Sequence, residues 1–135
     1  MKKIFADTSG WLALVINSDF LHEKAVKTYQ ELLDKNYNFV THSGVLLKIG
    51  NGLSSINGRR TALKLKESIE KSRRIESVSL SPELIEAAWK LYAERLDKDW
   101  GIVDCISFVV MRRYDLTEAL TADRHFERAG FTKLL

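Results

Sequence analysis

Brief apolar segments, set apart by stretches of helical periodicity, constrain the fold of this chain more than any other feature. Lys3 to Ala6, Asn38 to Thr41, Ile75 to Val78 and Ala119 to Leu120 read as short buried strands, with a last one at Thr132 to Leu134. Between the first two lie the apolar run Trp11 to Ile16 and an amphipathic helix over 20–35, where Leu21, Ala25, Tyr29, Leu32 and Leu33 recur at helical spacing. Val45, Ile49, Leu53 and Ile56 form the packed stripe of a helix over Ser43 to Ser55, which Gly50 and Gly52 weaken. A cationic helix is expected from Arg59 to Ser72. Ser81-Pro82-Glu83 opens another with proline at the first helical position, and helices at Ile102 to Arg113 and from Asp123 complete the alternation. Strands separated by helices imply a parallel sheet with right-handed crossovers and helices on both faces, a three-layer α/β/α sandwich.

The 135 residues contain one proline and no Gly/Ser linker, repeat or low-complexity stretch, so residues 1–135 read as a single domain. A chain of this size buries roughly two thirds of its unfolded surface, enough for a core without disulfides. The lone Cys105 excludes a zinc finger and suits a reducing compartment. No apolar run approaches the roughly 20 residues of a membrane span, and MKKIFADTSG lacks a secretory stretch; the expectation is a cytoplasmic protein. A net charge of +3 permits a nucleic-acid partner without requiring one.

In such folds ligands bind beyond the carboxyl ends of the strands, and Asp7 and Asp123 both fall there. The competing role for each is to cap the next helix. Asp104 sits in a helix that is apolar nearly all round, where a carboxylate is costly unless it is paired, for example with Arg113 or Arg124, or holds a cation. Three carboxylates converging on one rim repel one another unless something positive sits between them. All-oxygen ligation favours Mg²⁺ or Mn²⁺ over Zn²⁺. Such an ion activates water and stabilises charge developing on a phosphodiester, so the acids point to metal-dependent phosphodiester hydrolysis.

Asp7-Thr8-Ser9 after the first strand, Leu46-Leu47-Lys48-Ile49-Gly50-Asn51 in the middle helix, Gly101-Ile102-Val103-Asp104, and Thr121-Ala122-Asp123-Arg124-His125-Phe126 together resemble a PIN domain, in the manner of VapC-like toxin ribonucleases. The resemblance spans nearly the whole chain and keeps the motif order. It implies a parallel sheet between helices, an acidic pocket for Mg²⁺ or Mn²⁺, RNA as substrate, an antitoxin that blocks the pocket, and a homodimer. Asp7, Asp104 and Asp123 match the family's first, third and fourth acids. The second is a Glu in the family and Lys48 here.

Lys48 opposite a doubly charged ion at about 4 Å and an effective dielectric near 20 gives an upper bound of about 8 kcal/mol of repulsion. A third of that weakens metal binding roughly a hundredfold. Three outcomes follow: the ammonium pairs with Asp7, Asp104 or Asp123 and leaves an inactive fold; the three acids still hold an ion at reduced rate; or Lys48 is solvated. The rival to a weakened nuclease is an inert PIN-like module that binds a protein or RNA.

Thr8, Ser9 and Thr121 carry hydroxyls beside the acids, with capping expected of Ser9; Asp97 and Asp99 lie just upstream of Asp104, and Asp99 is expected to cap the helix start, with a place in the acidic rim as its alternative. His125 is not counted as a ligand. The stretch from Arg59 to Lys66, with Lys71, Arg73 and Arg74, offers phosphate contacts or a solvated helix face. Trp11, Trp89, Trp100 and Phe126 are assigned to the core or a dimer contact. A phosphatase forming an aspartyl phosphate needs a second acid where Ser9 stands, and a nucleotide-binding loop needs more glycine than Gly10.

Overall fold

The structure is a computed structural model and describes residues 2–135. In chain order its elements are β1 (Lys3–Ala6), α1 (Thr8–Val15), α2 (His22–Asp34), β2 (Asn38–His42), α3 (Ser43–Gly52), α4 (Ile56–Lys71), β3 (Ile75–Val78), α5 (Pro82–Glu94), α6 (Ile102–Arg113), β4 (Glu118–Leu120), α7 (Arg124–Arg128) and β5 (Thr132–Lys133). The alternation expected from the sequence is present throughout.

Two boundaries differ for identifiable reasons. Asp7 has extended backbone (φ −93°, ψ 169°) and turns straight into α1, so that helix begins at Thr8, ahead of the apolar run. Ser55 caps α4, its Oγ accepting from the Gly58 N–H at 3.2 Å, so α4 starts at Ile56. Ile56 therefore leaves the α3 stripe assigned to it and stands 88% exposed.

All strand pairs are parallel and the order is β3-β2-β1-β4-β5. From β1 the chain steps outward through β2 to β3, then returns across β1 to lay down β4 and β5. Right-handed crossovers in opposite directions place α1 to α4 on one face and α5 to α7 on the other. The side-chain alternation of β2 agrees: Thr41 receives the Trp11 indole N–H of α1, whereas His42 bonds Ser107 of α6. On the first face Trp11, Tyr29 and Phe39 pack ring to ring; on the second, Phe108 packs edge-on against both Trp100 and Phe126. Trp11, Trp100 and Phe126 are thus core, and Trp89 is the exposed member of the aromatic set.

The direction of strand addition reverses between β1 and β4. Connections leave these neighbouring strands toward opposite faces, which opens a crevice at their carboxyl ends. Asp7 directly follows β1, and Asp123 follows β4 by three residues. Among the described residues, no helix is long and apolar enough to cross a membrane.

Candidate active site

Asp7 occupies the N-cap position of α1, yet its side chain makes no capping bond. Its carboxylate instead faces the segment just beyond β4, where Thr121 Oγ1 donates to Oδ2 at 3.0 Å. With the Thr121 proton committed there, Ser9 Oγ donates to Thr121 Oγ1 at 3.0 Å and accepts the Ala122 N–H at 2.9 Å, while the Asp123 N–H reaches Thr121 Oγ1 at 3.0 Å. Ser9 therefore ties the first turn of α1 to the segment just beyond β4 and does not cap α1. Only 4% exposed, Asp7 has its pKa pushed up by burial and by the charge of Asp104, against the Thr8 backbone N–H, the Thr121 hydroxyl and the Lys48 charge, which favour the carboxylate.

Asp104 lies in the first turn of α6, buried, and its Oδ2 accepts the Gly101 N–H at 3.0 Å. Neither arginine considered as its partner takes that part: Arg113 is paired with Glu83, and Arg124 makes no ion pair among the described residues. Burial and the neighbouring Asp123 raise the pKa of Asp104, while Gly101, Lys48 and His125 oppose the shift. Asp123 does cap α7, its Oδ1 accepting the His125 N–H at 2.9 Å, and its second oxygen is left over. Asp97 and Asp99 cap nothing. Asp97 pairs with Arg95 on the surface, and the N-cap of α6 is Gly101.

Oxygens of Asp104 and Asp123 and a ring nitrogen of His125 lie within 4.8 Å of one another. Asp7 stands outside this trio, deeper in the crevice and coupled to Asp104 by charge. The sequence alone does not count this histidine as a ligand; its place two residues after Asp123, on the same turn, is the signal that marks it. Lys48 is exposed on α3 and makes no ion pair with the acids, so the ammonium does not fill the pocket. Its charge nevertheless acts on both Asp7 and Asp104.

A buried hydrogen-bond relay sets the rim's geometry. His42 Nδ1 accepts the Val45 N–H at 3.3 Å, so Nε2 carries the proton and donates to Ser107 Oγ at 2.8 Å; Ser107 in turn donates to the Val103 carbonyl at 3.1 Å. This ties α3, which carries Lys48, to α6, which carries Asp104. Burial lowers the His42 pKa to about 4 and keeps the ring neutral, as the relay requires.

The donor set fits a divalent cation. Two buried carboxylates with raised pKa and a third beside them gain from a positive guest, and the buried Thr8 Oγ1 and His125 Nδ1 lack protein partners. The cationic stretch is less uniform than its sequence suggests. Lys66 and Lys71 pair with Glu70 and Glu67, and Arg74 bonds the Leu33 and Tyr37 carbonyls and the Asn38 side chain; Arg59, Arg60, Lys64 and Arg73 make no ion pair among the described residues.

The profile of the PIN domain matches residues 4–132. The 23S rRNA-specific endonuclease VapC20 of Mycobacterium tuberculosis is 29% identical over 131 residues, 97% of each chain. In structure, the chain resembles that sarcin–ricin-loop-cleaving toxin with a TM-score of 0.82 at 28% identity and 96% coverage of both chains. VapBC2 of Rickettsia felis, solved with a promoter DNA fragment, shares the fold at a TM-score of 0.70, 17% identity and 96% coverage of both chains. FitAcB of Neisseria gonorrhoeae does so at 0.62 and 18%, covering 96% of this chain and 94% of that one. The chain belongs to the PIN domain family as a VapC-like member, a ribonuclease by family.

Proposed function

We propose that residues 1–135 form a single, cytoplasmic, metal-dependent endoribonuclease domain of the toxin type, with Asp7, Asp104 and Asp123 holding Mg²⁺ or Mn²⁺ and Lys48 weakening that hold. The observation that carries this reading is the meeting, at the strand switch point, of carboxylates from three distant segments, among which burial and a neighbouring carboxylate raise the pKa values of Asp7 and Asp104. A bound divalent ion supplies an acidified water and charge stabilisation on the phosphodiester. The chain's own part is positional: Thr121 and the Thr8 N–H favour the carboxylate form of Asp7 and aim it, Gly101 orients Asp104, and Asp123 is fixed by its bond to the first turn of α7. Because VapC20 is a 23S rRNA-specific endonuclease, ribosomal RNA is the first substrate to assay.

With Mn²⁺ present, the chain should cut RNA, EDTA should stop it, and Asp7→Asn should cut at least about tenfold more slowly, the effect of losing about 1.4 kcal/mol of transition-state stabilisation. Lys48 favours the second reading, an inert module with the same fold. Cleavage that survives unchanged in Asp7→Asn is contaminating nuclease and returns the inert reading to the front.

Toxin–antitoxin complexes among the structural neighbours support an antitoxin partner. The surface we assign to it is the apolar groove of about 750 Å³ beside α1, α2 and α4, lined by Trp11, Val15, Val26, Tyr29, Leu65 and Ile69. Co-expressed with its antitoxin, the chain should run as a hetero-oligomer holding two copies of itself in light scattering. Val26→Glu places an unpaired charge in the groove and should release free chain. A complex indifferent to that change puts the antitoxin elsewhere.

A further inference from the structure

His125 is the titratable neighbour of the acids to which the nuclease reading gives no task. Its ring nitrogen and the oxygens of Asp104 and Asp123 lie within 4.8 Å of one another. Around an ion with donors at about 2.1 Å, neighbouring donors stand about 3 Å apart and opposite ones about 4.2 Å, so side-chain movements of about one ångström each bring all three onto one cation. His125 Nδ1 is buried without a hydrogen-bond partner. The chain's other two imidazoles are committed within the protein, His42 to Val45 and Ser107, His22 to the Ala13 carbonyl at 2.7 Å. An imidazole with a buried nitrogen that the protein leaves unsatisfied, and with a ring nitrogen near two carboxylates, points to a ligand from outside the chain.

We propose that His125 is a nitrogen ligand of the metal site, together with Asp104 and Asp123, and that it makes the site prefer Mn²⁺ to Mg²⁺. The inference rests on the metal-dependent nuclease reading. A neutral imidazole adds a donor to a pocket already crowded with negative charge, and adds no further repulsion. Lys48 opposes both ions equally, since both carry two charges, and so it does not discriminate between them. The imidazole does: Mg²⁺ holds oxygen and water, whereas first-row transition ions gain from nitrogen. Asp123 and His125 are set on a single turn by the 2.9 Å bond from the His125 N–H to Asp123 Oδ1, so the two ligands are positioned together.

Pulsed EPR and calorimetry on the metal-free full chain test this. Mn²⁺-loaded protein should show ¹⁴N coupling from one imidazole, and with both other histidines committed that coupling reports His125. His125→Ala should lose the coupling and bind Mn²⁺ about tenfold more weakly, with Mg²⁺ binding changed less than about twofold. His125→Asp keeps a donor and should bind Mn²⁺ with the preference over Mg²⁺ erased. Mn²⁺ bound without ¹⁴N coupling, or with unchanged affinity in a folded His125→Ala, overturns the ligand role while leaving the nuclease reading intact. Absence of Mn²⁺ binding by the wild-type chain at millimolar concentrations removes both. Should a variant not fold, the wild-type spectrum alone decides.

Discussion

Gly10→Ala should lower the melting temperature by about 8 °C and leave Asp7 misplaced, although alanine is the better helix former. A Cβ at residue 10 would stand 2.1 Å from the Leu120 carbonyl oxygen and 2.9 Å from its carbon. Both are backbone atoms of β4, and neither can rotate away, so α1 must lift off the sheet. Overpacking costs about 1–3 kcal/mol where side chains can adjust; with backbone on both sides the upper end applies, against a helix-propensity gain of about 1 kcal/mol. The net loss, about 2 kcal/mol, at about 4 °C per kcal/mol for a domain of this length lowers the melting temperature by about 8 °C. The same carbonyl accepts the Asp7 N–H at 3.2 Å, and the Ser9 and Thr121 bonds beside it cross the same seam, so the shift reaches the site directly. Gly50 meets nothing within 4 Å of its added Cβ, so Gly50→Ala should stabilise by about 1 kcal/mol. Calorimetric melting of both variants checks the opposite signs. Equal melting temperatures would show that α1 is not clamped against β4.

What was legible in the sequence were features that a short window determines. β1, β3 and α6 have the boundaries expected from their apolar patterns, and Asp7 and Asp123 fall at the rim because any residue just beyond a parallel strand does. What was illegible depends on partners far along the chain. Ser9 reads as a cap because serine commonly is one, yet its partners Thr121 and Ala122 lie more than a hundred residues away. Arg74 looks like part of a solvated basic run until the Leu33 and Tyr37 carbonyls are beside it. His125 looks incidental until Asp104 of another element faces it. Ile56 continues the α3 stripe in sequence because a helical stripe extends equally well past a break; Ser55 places it in the next helix by capping that helix.

Lys48→Glu should tighten Mn²⁺ binding by about thirtyfold and raise RNA cleavage at sub-saturating Mn²⁺ to match. Lys48 is exposed and outside ion-pair reach of the acids, so water screens it and the effective dielectric is close to the bulk value. Two unit charges about 8 Å apart in water interact by about 0.5 kcal/mol. Reversing one charge is a change of two units, and the ion carries two, so about four such interactions change sign together. The sum, about 2 kcal/mol, is about thirtyfold in affinity. It is smaller than a buried lysine would produce, because the ammonium stands at the rim and leaves the pocket open. The charge of Lys48 also lowers the pKa values of Asp7 and Asp104. In the glutamate variant both should protonate more readily, so the gain in metal affinity should shrink as pH falls toward the carboxylate range. Calorimetric Mn²⁺ titrations of both forms at neutral and mildly acidic pH measure both effects. Equal tight binding by the two forms would mean that Lys48 turns away from the ion, and that the lysine costs this nuclease nothing.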